Sequence, residues 1–426
     1  MQALLSFDKS PPFAAPLRFF LTAPLFALAA GLLLLAEGAD MFASRWSPGL
    51  LAATHLITIG FMLQVMLGAL IQILPVVAGA NLQHPLAVAR WLHGGLSIGA
   101  LLLASGFLFA QPALLSSGAL LLGINIAAFL VVTGRALYSV PTTSPTIGGL
   151  KFALFGLAGA VALGVVLALA LAQGWAVPRP ALTDLHAAWA LSGWAGILLA
   201  AMAYVVVPMF QLTPGYPARP SWWLPRVLLG LVLAWTLAAL LEWPLAIALA
   251  QGLTALAGIA FAVLTLRLQA QRRRARADAT YLYWQLGLYS TIFGLFLPLT
   301  ATVWPALADW PGYSLLVGIL LLVGGFMSFI VGMLYKIVPF LAWLHLQNAC
   351  GGTAPNMNRL LSENAMQRQF MAHALAVALL LAAVVRPDWL ALPAGAALVL
   401  ANGWLLYNLM GAVGRYRRHL AEKVPA

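Results

Sequence analysis

THLITIGFMLQVMLGALIQILPVVAG, residues 54–79, runs for twenty-six residues with no charged side chain and a single histidine, His55. About 20 mostly apolar residues suffice to cross a bilayer as a helix. The hydrocarbon offers no partner to an open peptide group, so such a stretch must be helical. Working outward, eleven further segments of this kind are centred near residues 28, 97, 123, 160, 196, 231, 257, 291, 327, 376 and 401. The composition agrees: 63% of the 426 residues are apolar, 8% are charged and the mean hydropathy is +0.96. The chain is therefore expected to be an all-α polytopic membrane protein of twelve spans, forming a single membrane domain over 1–426. Span 1, RFFLTAPLFALAAGLLLLAEG, is too long for a signal-peptide core and is expected to be retained.

The charge distribution sets an expected orientation. The formal net charge is +12, with 22 Lys/Arg and 10 Asp/Glu. The face carrying both termini holds nineteen of the basic residues and four of the acidic ones, including QRRRARAD (271–278) and RYRRH (415–419), whereas the opposite face holds three arginines and six acidic residues. The positive-inside rule then places both termini in the cytoplasm of a bacterial inner membrane. It also makes the basic runs anchors for anionic lipid, not nucleic-acid contacts. Cys350 is the only cysteine, so neither an intramolecular disulfide nor a thiolate cluster can form.

The opening stretch has two gapless relatives. Gly60, Gly68 and Pro75 of span 2 correspond to Gly193, Ala201 and Pro208 of span 6 and to Gly324, Gly332 and Pro339 of span 10. AMAYVVVP (201–208) against GMLYKIVP (332–339) also aligns Tyr204 with Tyr335. The expected architecture is three four-helix pseudo-repeats, 1–146, 147–278 and 279–426, around a central axis. Small residues would let spans 2, 6 and 10 approach closely, with proline kinking their inner ends.

Ionisable groups within a span mark candidate sites, because an unpartnered one is costly in lipid. His55 lies twenty residues before Pro75 and His186 twenty-two before Pro208. At 1.5 Å per residue their levels differ by about 3 Å, both in the outer half. Two neutral imidazoles suit haem iron or copper where thiolate is lacking. The alternative is that each ring is bonded to backbone or hydroxyl groups, with Thr54 and Thr183 nearest in sequence. Met62, seven residues beyond His55, is a candidate thioether ligand or a packing residue. His93, His345 and His373 fall toward the inner side and form a candidate second site, or else serve as interfacial or hydrogen-bonded groups. His84 and His419 read as surface residues. Tyr204, Tyr335 and Gln72 suggest a polar inner rim, and Lys336 is expected to snorkel to the inner surface. Arg45, Arg179 and Arg386 stand alone on the acidic face, either opposite haem propionates or balancing Asp40, Asp184 and Asp388.

Twelve helices in three arcs, with inside termini and a histidine in the outer half of span 2, resemble subunit I of the haem-copper oxidases. HLITIGF, with the later small residue and proline, resembles the histidine-bearing helix of the NnrS family, haem- and copper-containing proteins associated with nitric oxide metabolism. The resemblance implies haem b or copper as cofactor, His55 as an axial ligand, His186 at a copper-ligand level and Arg386 as a propionate partner. A respiratory or denitrification electron-transfer protein is the implied partner. There are departures: span 7 (WWLPRVLLGLVLAWTLAALL) and span 10 lack the oxidases' ligand histidines, and AAWALSGW follows His186 where His-Pro-Glu is absent. A complete oxygen- or nitric-oxide-reducing centre is therefore not expected. A cofactor-free permease and a non-catalytic membrane subunit or assembly factor of a respiratory complex remain as alternatives.

Overall fold

In the computed structural model, which describes residues 6–274, 276–350 and 355–423, helix accounts for 86% of the chain, and no strand occurs among the described residues. Twelve helices are long and apolar enough to cross a membrane: Ala14–Phe42, Pro48–Ala78, Pro85–Leu108, Pro112–Tyr138, Pro145–Gln173, Arg179–Gln211, Ala218–Leu240, Pro244–Ala270, Ala279–Val303, Tyr313–Ala349, Glu363–Val385 and Pro387–Glu422, here spans 1–12. Every centre expected from hydropathy falls within its helix. Six spans begin on a proline at the first helical position, where the missing N–H costs nothing and the fixed φ favours the helix. The side chain of Cys350 lies outside the described residues.

Spans 2, 6 and 10 contain an element the sequence pattern does not announce. Each opens as an α-helix, widens into a π-helix of eight residues and returns to α: Leu56–Leu63, Trp189–Gly196 and Leu320–Met327. The three segments start 133 and 131 residues apart, the same intervals as the prolines, and Gly60, Gly193 and Gly324 are each the fifth residue. These spans are also the most buried, at 89%, 56% and 56% of their apolar windows against 50% or less elsewhere. Beyond the π segments the three spans differ. Span 2 turns π again at Leu74–Ala78 around Pro75 and stops at left-handed Gly79, span 6 ends at Gln211 soon after Pro208, and span 10 continues through Pro339 to Cys350.

The helices group into two compact units. One comprises Gln72–Ala275 with Thr291–Trp310 and the described residues before Pro11. Here span 5 lies against span 6 so closely that a Cβ on Gly156 would sit 1.9 Å from the carbonyl oxygen of Gly193, and one on Gly149 would sit 2.6 Å from Cβ of Ala201. Spans 3 and 4 pair through Gly95, Gly99, Gly106 and Gly118, and Asn125 Nδ2 donates to the Leu92 carbonyl at 2.9 Å. Ser6 N–H donates to Val76 and Gln72 Nε2 to Ser10 Oγ, which ties the amino-terminal residues to the end of span 2.

The other unit comprises Pro11–Ile71, Arg276–Ser290 and residues from Pro311 onward. Spans 1 and 2 meet where Gly60 faces Phe26 and Gly68 faces Phe19, and spans 9 and 10 meet where Gly324 faces Ser290 and Gly332 faces Tyr283. In all three pairs the small residues lie eight apart on the second helix and their partners seven apart on the first: Phe19 and Phe26, Gly149 and Gly156, Tyr283 and Ser290. A side chain at these positions would force the helices apart, because interiors have no slack of that size.

Candidate functional site

His186 sits in span 6 three residues before its π segment. The ring crosses to span 5, where Nδ1 lies 2.9 Å from the carbonyl oxygen of Ala160. It rests over Gly164, where a Cβ would stand 2.9 Å from the ring's Cε1. A turn further on, the Trp189 indole covers Gly159, packs against Phe155 and donates through Nε1 to Thr236 Oγ1 at 2.9 Å. Thr236 in turn donates to its own helix at Val232.

His55 belongs to the other unit and is the last residue before the π segment of span 2. Its Nδ1 lies 2.7 Å from the carbonyl of Leu51, four residues back in the same helix. Both imidazoles bond a backbone carbonyl, one of the two partner types expected of them. Thr58 bonds the Thr54 carbonyl, and Thr183 plays no part in the His186 bond. A carbonyl can only accept, so in both rings Nδ1 carries the proton, and in the neutral imidazole the lone pair is then on Nε2. This pattern, an Nδ1–H held by a carbonyl, also orients metal-bound histidines and raises their basicity.

The remaining candidates are dispersed. Met62 is buried within Leu56–Leu63. The seven-residue spacing that stacks two side chains in an α-helix does not hold across those wider turns. Arg386 is exposed at the carboxyl end of span 11. His93 is half-buried on span 3. His345 stacks on Phe13, which meets Tyr416 edge-on, and its Nε2 is buried with no partner among the described residues. His84 is exposed, and His419 lies 3.5 Å from Glu422. Among the described residues no three His, Cys, Asp or Glu side chains gather into a metal-holding group.

His373 is buried in a polar cluster that sequence reasoning missed. Its Nε2 lies 2.8 Å from Ser328 Oγ, and Tyr283 packs 5.3 Å from its ring. The hydroxyls of Tyr283 and Tyr335 both donate to Gln369 Oε1, Gln369 Nε2 donates to the Ala401 carbonyl at 2.9 Å, and Asn408 Nδ2 donates to Tyr335 at 3.0 Å. All six side chains are buried. The available signal was Gln369 and His373 four apart on span 11 and Ser328 and Tyr335 seven apart on span 10, polar residues aligned on apolar helices. At the margin of the cluster Lys336 reaches Asp278, the residue before span 9, at 2.8 Å. Its members hydrogen-bond one another across spans 9–12 and tie those helices together.

The aligned Tyr204 differs from Tyr335. Its ring meets Tyr216 edge-on, and its buried hydroxyl has no hydrogen-bond partner among the described residues. Tyr216, in the loop after span 6, bonds Thr265 Oγ1 at 2.9 Å, and Gln269 bonds Gln211 beneath the membrane end of span 8.

A scan against models of protein families finds none that matches this chain, and a search of curated proteins finds no match either.

Proposed function

We propose that this protein binds haem b or copper in a bacterial inner membrane through His55 and His186, and that it is of the NnrS-like, haem-copper-oxidase-like type. One observation carries the reading. Two intramembrane imidazoles, on spans that share the π segment, both commit Nδ1 to a main-chain carbonyl. An Nδ1–H given to a carbonyl leaves the lone pair on Nε2, the state in which a histidine can ligate a metal. The donor set fits haem iron or copper(I), which accept one or two imidazoles. It does not fit a closed tetrahedral site of the zinc kind, which needs four ligands.

The three equivalent π segments, the intervals of 133 and 131 residues and the repeated eight-against-seven packing of helix pairs support the reading as three four-helix repeats. π segments recur at functional sites in membrane and soluble helices alike. The excess of Lys/Arg on one set of loops supports cytoplasmic termini.

When bound, haem b or copper would supply a redox-active centre. The chain's own residues hold and orient. The Leu51 and Ala160 carbonyls would keep the Nδ1 protons in place, and Arg386 would be available to a propionate. Without the oxidases' span 7 and span 10 histidines the expected role is nitric oxide response, metal handling or one-electron transfer with a respiratory or denitrification partner, not reduction of oxygen or nitric oxide. The test is the haem and copper content of protein purified in mild detergent, wild type against His55→Ala and His186→Ala. The reading expects bound cofactor that is lost or spectrally altered in at least one variant, and an unchanged cofactor in both would overturn the assignment of these ligands.

A further inference from the structure

We infer that Gly164 of span 5 is a positioning residue for His186, fixing which ring nitrogen carries the lone pair. The imidazole that bonds Ala160 O brings its Cε1 edge against Gly164, one turn further along span 5. A Cβ there would be 2.9 Å from Cε1, 3.4 Å from Nδ1 and 3.7 Å from Nε2. All three distances are to the tip of one side chain, and no backbone atom stands in the way. Adding a methyl group at 164 therefore displaces the ring without separating the helices.

Neighbouring glycines of the same helix behave otherwise. A Cβ on Gly156 would strike the Gly193 backbone, and one on Gly159 would enter the plane of Trp189, which Thr236 anchors. Span 5 thus carries two kinds of glycine on one face: Gly156 permits the helix pair to form, and Gly164 sets the pose of a histidine. Once the ring is lifted, its Nδ1–H loses the Ala160 carbonyl and the neutral imidazole no longer favours the Nε2 lone pair. The inference concerns the ring itself; its consequence for a cofactor rests on the function proposed above.

The experiment is nitrogen NMR of histidine-labelled protein stripped of any haem or copper, whose bond to Nε2 would itself fix the tautomer, with His186→Gln to assign the signal, on wild type, Gly164→Ala and Gly164→Ser. Wild type is expected to show His186 as the single Nδ1-protonated tautomer. Both variants should show a mixed or inverted tautomer population at an unchanged or higher melting temperature, because Gly→Ala within a helix is itself favourable. Where cofactor is bound, its affinity should fall about tenfold, the usual effect of losing the partner that orients a ligand histidine. An unchanged tautomer in both variants overturns the inference, as does a melting temperature that falls in step with the tautomer change, which would mark Gly164 as a packing residue. If the tautomer responds as expected but wild type holds no haem or copper, the positioning role stands and the proposed function fails.

Discussion

Gly156→Ala probes the register on which the rest of the structure depends. The new methyl carbon would lie 1.9 Å from the Gly193 carbonyl oxygen, 2.2 Å from its carbon and 2.8 Å from the Trp194 nitrogen, all of them backbone atoms of the span 6 π segment. None can rotate away, so spans 5 and 6 must part by about 1 Å or the π segment must rearrange. Overpacking of this kind costs about 1–3 kcal/mol, and a backbone-on-backbone clash belongs at the upper end. The exchange recovers about 1 kcal/mol of helix propensity, leaving a net loss of about 2 kcal/mol. Gly164→Ala, eight residues along the same helix, gains the same propensity and strains only one imidazole, at about 0.5–1.5 kcal/mol, so its net effect is near zero. Thermal unfolding of both variants in the same detergent at one scan rate should separate them, with Gly156→Ala melting several degrees lower. If the two melt together, the close approach of span 5 to the π segment is wrong.

The polar clasp of spans 9–12 should be sensitive at its hub. Gln369→Leu removes the acceptor of two buried tyrosine hydroxyls and should cost about 2–4 kcal/mol in a detergent unfolding assay, since each stranded polar group costs about 1–3 kcal/mol. Tyr283→Phe combined with Tyr335→Phe in that background should recover part of the loss. In the loop after span 6, burial pushes the Tyr216 hydroxyl above the ordinary tyrosine range, with the Thr265 hydrogen bond opposing and Tyr204 adding to the shift. The folded chain then keeps a proton that the unfolded chain releases above about pH 10, so this residue's contribution to stability is complete below that pH and is lost as pH rises further. Ultraviolet titration should show one late-ionising phenol fewer in Tyr216→Phe, and identical titration curves would refute the placement.

The twelve spans were legible because hydropathy over about 20 residues reports directly on the cost of burying peptide groups in lipid. The inner helices were legible because Gly60, Gly193 and Gly324 stand at equal distances from their prolines. That those glycines centre π segments was not legible, since periodicity does not distinguish one extra residue per turn from ordinary variation in an apolar run. The histidines could be ranked by depth, but their partners could not be named. A backbone carbonyl was one of the two expected partner types, but which carbonyl was not legible: His186 uses one 26 residues away on another helix. Lys336 illustrates the same limit: its partner Asp278 lies 58 residues earlier, on the preceding span's approach to the membrane. Tyr204 and Tyr335 align in sequence yet differ in environment, because Gln369 and Asn408 reach Tyr335 from spans 11 and 12.

The proposal that His55 and His186 are ligands to haem or copper is tested most directly by the visible spectrum with iron and copper analysis of freshly isolated wild-type protein. The account predicts a haem absorption band or stoichiometric copper that disappears or shifts on His55→Ala or His186→Ala. Freshly isolated protein with neither haem absorbance nor copper would contradict it.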